Sequence, residues 1–86
     1  MSQPEIVMYS SRFCPFCVRA KALFTKKKLE VEEILIDQQP ETRREMMVKS
    51  GRHTVPQIWI GEQHIGGCDE LLALDRSNKL EALLVV

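Results

Sequence analysis

Apolar residues along the chain gather in short runs set between charged and turn-forming segments, and the spacing inside each run assigns an element. Glu5 to Tyr9 holds the near-continuous apolar run Ile6-Val7-Met8-Tyr9, which predicts a strand buried on both faces. Val18 to Lys28 reads as an amphipathic helix, with Phe16, Ala20, Leu23 and Phe24 recurring at i, i+4, i+7 and i+8 as a stripe facing a sheet. Lys26-Lys27-Lys28 puts cations at the C-terminal end of that helix, where its dipole favours them, and reads as a solvated helix end.

Val31 to Ile36 is the second strand, and strand-helix-strand with short connections predicts a right-handed parallel βαβ unit. Asp37-Gln38-Gln39-Pro40 breaks the chain. Pro40 then opens a helix through about Ser50, stopped by Gly51, with Met46, Met47 and Val48 expected in the core. Gln57-Ile58-Trp59-Ile60 alternates as a strand with one face inward. Gly61-Glu62 makes a Gly-first hairpin turn, and Gln63-His64-Ile65 returns as its partner. Pro56 is tolerated at a strand start because no ladder N–H is needed there. Cys68-Asp69-Glu70 opens a last helical region in which Leu71, Leu72 and Leu74 pack inward. Ser77-Asn78 interrupts it before Leu80, Leu83 and Leu84. The order β-α-β-α-β-β-α, a parallel pair followed by an antiparallel hairpin, predicts an α/β, thioredoxin-like fold: a four-stranded mixed sheet flanked by helices.

Chemistry concentrates in Ser11-Arg12-Phe13-Cys14-Pro15-Phe16-Cys17, at the junction of the first strand and first helix. A Cys-x-x-Cys beside a βαβ pattern signals thiol-disulfide redox chemistry. Pro15 suits the first helical position. Cys14 then falls at the helix start, where unpaired N–H groups and the positive end of the dipole favour a thiolate. Arg12, Arg19 and Lys21 add positive charge nearby in sequence. Cys17 lies on the same helix face, placed to attack a mixed disulfide formed at Cys14. These spacings make Cys14 the nucleophile and Cys17 the resolving thiol. The competing use is half a zinc site completed by Cys68, His53 or His64. Structural zinc sites usually bring a second closely spaced ligand pair, which this chain lacks, so no metal is expected.

Composition narrows the class further. The chain of 86 residues is expected to form one domain over 1–86. Lys plus Arg and Asp plus Glu stand at 12 each, which suggests no nucleic-acid or membrane surface. Met1-Ser2-Gln3-Pro4 has no charged-then-apolar leader pattern, and no apolar run reaches membrane-spanning length. A soluble cytoplasmic monomer is the expectation. Three cysteines do not make a secreted disulfide framework, and in a reducing compartment the Cys-x-x-Cys reads as catalytic.

Cys14-Pro15-Phe16-Cys17, Thr54-Val55-Pro56 and Gly66-Gly67-Cys68-Asp69 stand in the order and spacing of the glutaredoxins. The likeness runs from Ile6 to about Leu84 and resembles most the short bacterial dithiol members, including Ser50-Gly51-Arg52 ahead of the second motif. The resemblance implies a glutathione-dependent thiol-disulfide oxidoreductase supporting redox homeostasis, with glutathione as co-substrate. It implies a cis bond before Pro56, with Thr54, Val55 and Pro56 presenting a backbone edge to the cysteinyl part of glutathione. It places the γ-glutamyl carboxylate at the helix N-terminus of Gly67 and Cys68 and the γ-glutamyl ammonium on Asp69. The family often has a lysine three residues before the nucleophilic cysteine, on the glycyl carboxylate. Ser11 stands there, so Arg12 and Arg43 are the candidates for that end. The family's frequent tyrosine in the active motif is Phe16, which keeps the ring without the hydroxyl. Cys68 reads chiefly as a small side chain whose backbone N–H would bind, although its helix-start position could make the thiol somewhat acidic and open to oxidation.

The implied substrates are glutathionylated or disulfide-containing proteins; ribonucleotide reductase is among those the resemblance suggests. Two other readings remain at this level. One is a redoxin fed by thioredoxin reductase. The other is an iron-sulfur carrier holding a cluster with glutathione between two protomers, a role commoner in relatives with a lone active cysteine.

Overall fold

A computed structural model describes residues 3–84, so Met1 and Ser2 of the N-terminal segment, and the last two residues of the expected 1–86 domain, lie outside it. Strands β1 (Ile6–Ser10), β2 (Glu32–Leu35), β3 (Gln57–Ile60) and β4 (Gln63–Gly66) and helices α1 (Pro15–Lys26), α2 (Pro40–Ser50), α3 (Cys68–Arg76) and α4 (Leu80–Leu84) follow in the order β1-α1-β2-α2-β3-β4-α3-α4. One sheet of order β2-β1-β3-β4 results. β1 runs parallel to β2, with Tyr9 opposite Ile34. It runs antiparallel to β3, with Tyr9 opposite Gln57. β3 pairs antiparallel with β4, with a register shift between Ile58 and Trp59. The thioredoxin-like mixed sheet inferred from the pattern is the observed one, with the last helical region divided at Ser77 and Asn78.

β1 and β3 occupy the middle of the sheet, which explains their apolar density. Ile6, Met8, Ile58 and Ile60 pack on one face against Ala20 and Phe24 of α1, Leu71 of α3 and Leu80 of α4. Tyr9 turns to the other face with Met46 of α2 and Ile36, flanked by Val7, Ile34, Val55 and Trp59. The alternation in β3 therefore separates two covered faces, where the sequence suggested one inward face. Phe24 is fully buried, and its truncation to alanine is expected to cost about 3–5 kcal/mol.

Several expectations are corrected by packing. α1 begins at Pro15 with Cys14 as its N-cap, as the proline placement predicts, and ends at Lys26, short of the expected Lys28. Phe16 is half exposed and leaves the apolar stripe to Ala20, Leu23 and Phe24. In α2 only Met46 reaches the core, while Met47 and Val48 face outward, because a helix on the flank of a sheet buries one narrow stripe. Lys27 is more than a solvated helix end. Its Nζ meets Asp75 at 3.0 Å and Glu81 at 2.6 Å, joining α1 to α3 and α4. α2 spans Pro40–Ser50 and is closed by Gly51 in the left-handed conformation, as the sequence predicts.

Candidate active site

The start of α1, the loop before β3 and the start of α3 converge at one end of the sheet. Cys14 adopts extended backbone at the N-cap of α1. Its Sγ accepts the Cys17 N–H at 3.4 Å, satisfying one of the helix's unpaired donors. Its Sγ–H in turn donates to Val55 O at 3.6 Å, tying the redox motif to the Thr54-Val55-Pro56 loop. The Val55–Pro56 bond is cis. Cys14, Cys17 and Cys68 are all unbridged.

A cleft of about 300 Å³ opens beside this contact, lined by Phe16, Arg52, Thr54 to Pro56 and Gly67 to Glu70. Its second wall is the start of α3. Gly67 N–H donates to Glu70 Oε1 at 2.6 Å, and Arg52 Nη1 reaches the same oxygen at 3.2 Å. These two donors hold the Glu70 carboxyl below its ordinary value, the backbone N–H being the larger cause. Gly66 has φ +115°, and a Cβ there would stand 2.7 Å from Glu70 Oε1. A Cβ on Gly67 would stand 3.2 Å from Pro56 O. The paired glycines thus let the helix start, its carboxylate cap and the cis-proline loop close on one another.

The other side of the redox motif is a second groove of about 280 Å³, lined by Ser11, Arg12, Cys17, Val18, Lys21, Glu33 and Leu35. Cys17 is 2 % exposed. Its thiol is pushed up to about 12, chiefly by burial and then by hydrogen bonding with Cys14. Glu33 accepts from Ser10 Oγ at 2.6 Å and pairs with Lys21 at 3.0 Å, which holds its carboxyl below the ordinary range. Asp37 accepts from Ser11 Oγ at 2.7 Å and from the Arg12 N–H at 2.9 Å, with the same downward effect on its carboxyl.

The residues singled out by sequence fall into distinct places. Thr54, Val55, Pro56, Gly67, Cys68 and Asp69 share the cleft lining. Arg12 lies on the Cys17 groove, and Arg43 holds His53 O at 3.4 Å on the flank of the loop. Cys68 is 3 % exposed and packs in the core. Burial, then Asp69, push its thiol up, the opposite of the acidity suggested by its helix-start position. Arg52 and Glu70 were not foreseen in the cleft, although the capping spacing from Gly67 to Glu70 was readable. His64 has a partner the sequence did not reveal: Gln57, at 2.8 Å.

The glutaredoxin family model matches residues 6–65. The chain belongs to the glutaredoxin family. A Pseudomonas aeruginosa glutaredoxin is 53% identical over 81 residues, covering 94% of this chain and 96% of that relative. The solution structure of a Brucella melitensis glutaredoxin superposes with a TM-score of 0.85 at 48% identity, covering 98% and 91% of the two chains. A buckwheat glutaredoxin crystallised in complex with glutathione superposes at 0.86 with 33% identity, covering 95% and 76%. As a glutaredoxin, the chain is a thiol-disulfide oxidoreductase. Among the described residues no helix is long and apolar enough to cross a membrane.

Proposed function

We propose that this glutaredoxin reduces protein–glutathione mixed disulfides, and protein disulfides, with glutathione as co-substrate and electron donor. The observation that carries the reading is the 3.6 Å contact of Cys14 Sγ with Val55 O beside the cleft between the Thr54–Pro56 loop and the start of α3. The Val55 backbone offers an edge to an extended tripeptide. The N-terminus of α3, with Gly67 and Cys68, suits a carboxylate, and Asp69 an ammonium. Arg52 adds a cation to that wall. For the glycyl carboxylate, Arg43 beside His53 and Arg12 beside the redox motif are the candidate cations.

Cys14 is the nucleophile. Its thiolate attacks the glutathione sulfur of a glutathionylated protein, forming the Cys14–glutathione disulfide and releasing the protein thiolate, which takes up a proton. A second glutathione thiolate attacks that sulfur and leaves as glutathione disulfide, restoring Cys14. With a protein disulfide, Cys17 attacks the Cys14–protein bond instead. The protein thiol departs with a proton, and two glutathiones reduce the Cys14–Cys17 disulfide. The chain acts as a single-domain monomer in the reducing cytoplasm on this reading, where such a dithiol is returned to its reduced form.

The test is turnover of a glutathionylated peptide with either glutathione plus glutathione reductase or thioredoxin reductase as electron source. Saturable turnover with glutathione is expected. Turnover with thioredoxin reductase alone would keep the dithiol and remove glutathione from the proposal.

A further inference from the structure

Gln57 is a fully buried polar side chain at the head of β3. Its Nε2 donates to Thr54 O at 3.0 Å and to Thr54 Oγ1 at 3.3 Å, so the amide ties together the two ends of the Thr54–Gln57 segment. Its Oε1 meets His64 Nε2 at 2.8 Å. The orientation of the amide follows from Thr54 O, which only accepts. Oε1 therefore faces His64, and the imidazole must carry its proton on Nε2. The His64 ring is held in turn by Trp59, with ring centroids 4.7 Å apart, and Trp59 meets Tyr9 edge-on at 5.5 Å.

A buried amide costs stability unless its groups are paired, and an aliphatic side chain would fill the same core position without that demand. What the amide adds is a clamp. Thr54 is exposed and sits at the end of a loop with no ladder of its own, yet two of its oxygens are tied to an interior residue. Between the clamped Thr54 and the fixed Gln57 lies Val55, whose carbonyl faces Cys14 Sγ.

We propose that Gln57, held by His64, is a positioning residue. It sets the Thr54–Val55 backbone against Cys14, so that affinity for the glutathionyl group depends on side chains that do not touch it. This rests on the glutathione reading above. Gln57→Leu removes both donors to Thr54. It is expected to raise KM for a glutathionylated peptide about tenfold, leaving kcat within about twofold. His64→Phe keeps a ring on Trp59 but takes the donor from Gln57 Oε1, and is expected to raise KM about threefold. His64→Gln restores a donor without the ring, and is expected to return KM to the parent value while melting below His64→Phe.

That opposite ordering separates positioning from stability, and the two His64 variants carry the test if Gln57→Leu does not fold. An unchanged KM in His64→Phe, or an equal rise in His64→Gln and His64→Phe, would overturn the proposal. A parent protein that turns over the peptide only with thioredoxin reductase as electron source would overturn the glutathione reading itself, and this inference with it.

Discussion

Two residues separate Cys14 from Cys17, yet the fold gives the two thiols opposite surroundings. Cys14 stands partly exposed at the start of α1, accepting a backbone N–H and facing the Val55 carbonyl beside an open cleft. Cys17 lies within the first turn of the same helix, buried, with its thiol pushed up to about 12 and Glu33 adding negative charge on that side. The helix start supplies unpaired N–H donors only at its very end. Cys17 spends its own N–H on Cys14 Sγ, and at its thiol burial is the larger effect. The contrast gives one motif a partly exposed thiol beside the cleft next to a buried thiol whose charged form is disfavoured.

The largest break in the comparison is removal of either sulfur. Cys14→Ser is expected to lower every disulfide-reducing activity by at least about a thousandfold. Cys17→Ser is expected to keep reduction of glutathionylated peptide within about threefold while losing reduction of protein disulfides that depend on ring closure. Parallel steady-state assays on the two substrate types check both, and full activity of Cys14→Ser on glutathionylated peptide would assign the nucleophile elsewhere.

The second effect is in pH. Burial, the largest cause that raises the Cys17 thiol, persists when Cys14 is held in a mixed disulfide, so closure of the Cys14–Cys17 bond should accelerate as pH rises between about pH 6 and 9. Stopped-flow observation of a preformed Cys14 mixed disulfide measures it. A flat profile would show that Cys17 is not the protonated partner described above. Glu33→Gln removes a charge that disfavours the Cys17 thiolate and is expected to raise the closure rate at fixed pH by a factor of about two or three.

On the cleft side, Arg52→Ala and Asp69→Asn are expected to raise KM for a glutathionylated peptide by about five- to tenfold with little change in kcat. Steady-state kinetics at two ionic strengths would reveal whether charge is the cause, since the effect should shrink as salt rises.

The smallest effect is on acid stability. Glu33 and Glu70 have carboxyls lowered from 4.5, and Asp37 from 3.8. Each is held by partners that need the charged form. Their stabilisation is complete above those ordinary values and is lost as pH falls through the lowered ones. Because these groups are partly exposed, the contribution is modest. Glu70→Gln should narrow the difference in melting temperature between about pH 6 and 3 by less than about 5 °C, with the Cys14 alkylation rate unaffected.

Much of the fold was legible from periodicity. The span of α2, the hairpin of β3 and β4 and the interruption at Ser77 and Asn78 all appear where turn residues and apolar spacing put them. Apolar character alone misled at Phe16, Met47 and Val48, because helical spacing does not say how wide a stripe the sheet will cover. In the site, Cys14, Cys17 and the residues of the second and third motifs could be named in advance. Arg52 and the Gln57–His64 pair could not, since no local rule links residues brought together by a register shift between strands or by the meeting of a loop with a distant helix.

The sequence by itself determined the elements, their order and the dithiol at a helix start. Those follow from apolar period, proline and glycine placement and cysteine spacing, all local properties of the chain. Tertiary structure decided the rest. It buried Cys17 and Cys68, left Phe16 at the cleft wall, turned Lys27 into a bridge between helices and set Val55 O against Cys14 Sγ. Burial, and the hydrogen bonds it compels, depend on which distant segments share a face of the sheet, and only the folded chain settles that.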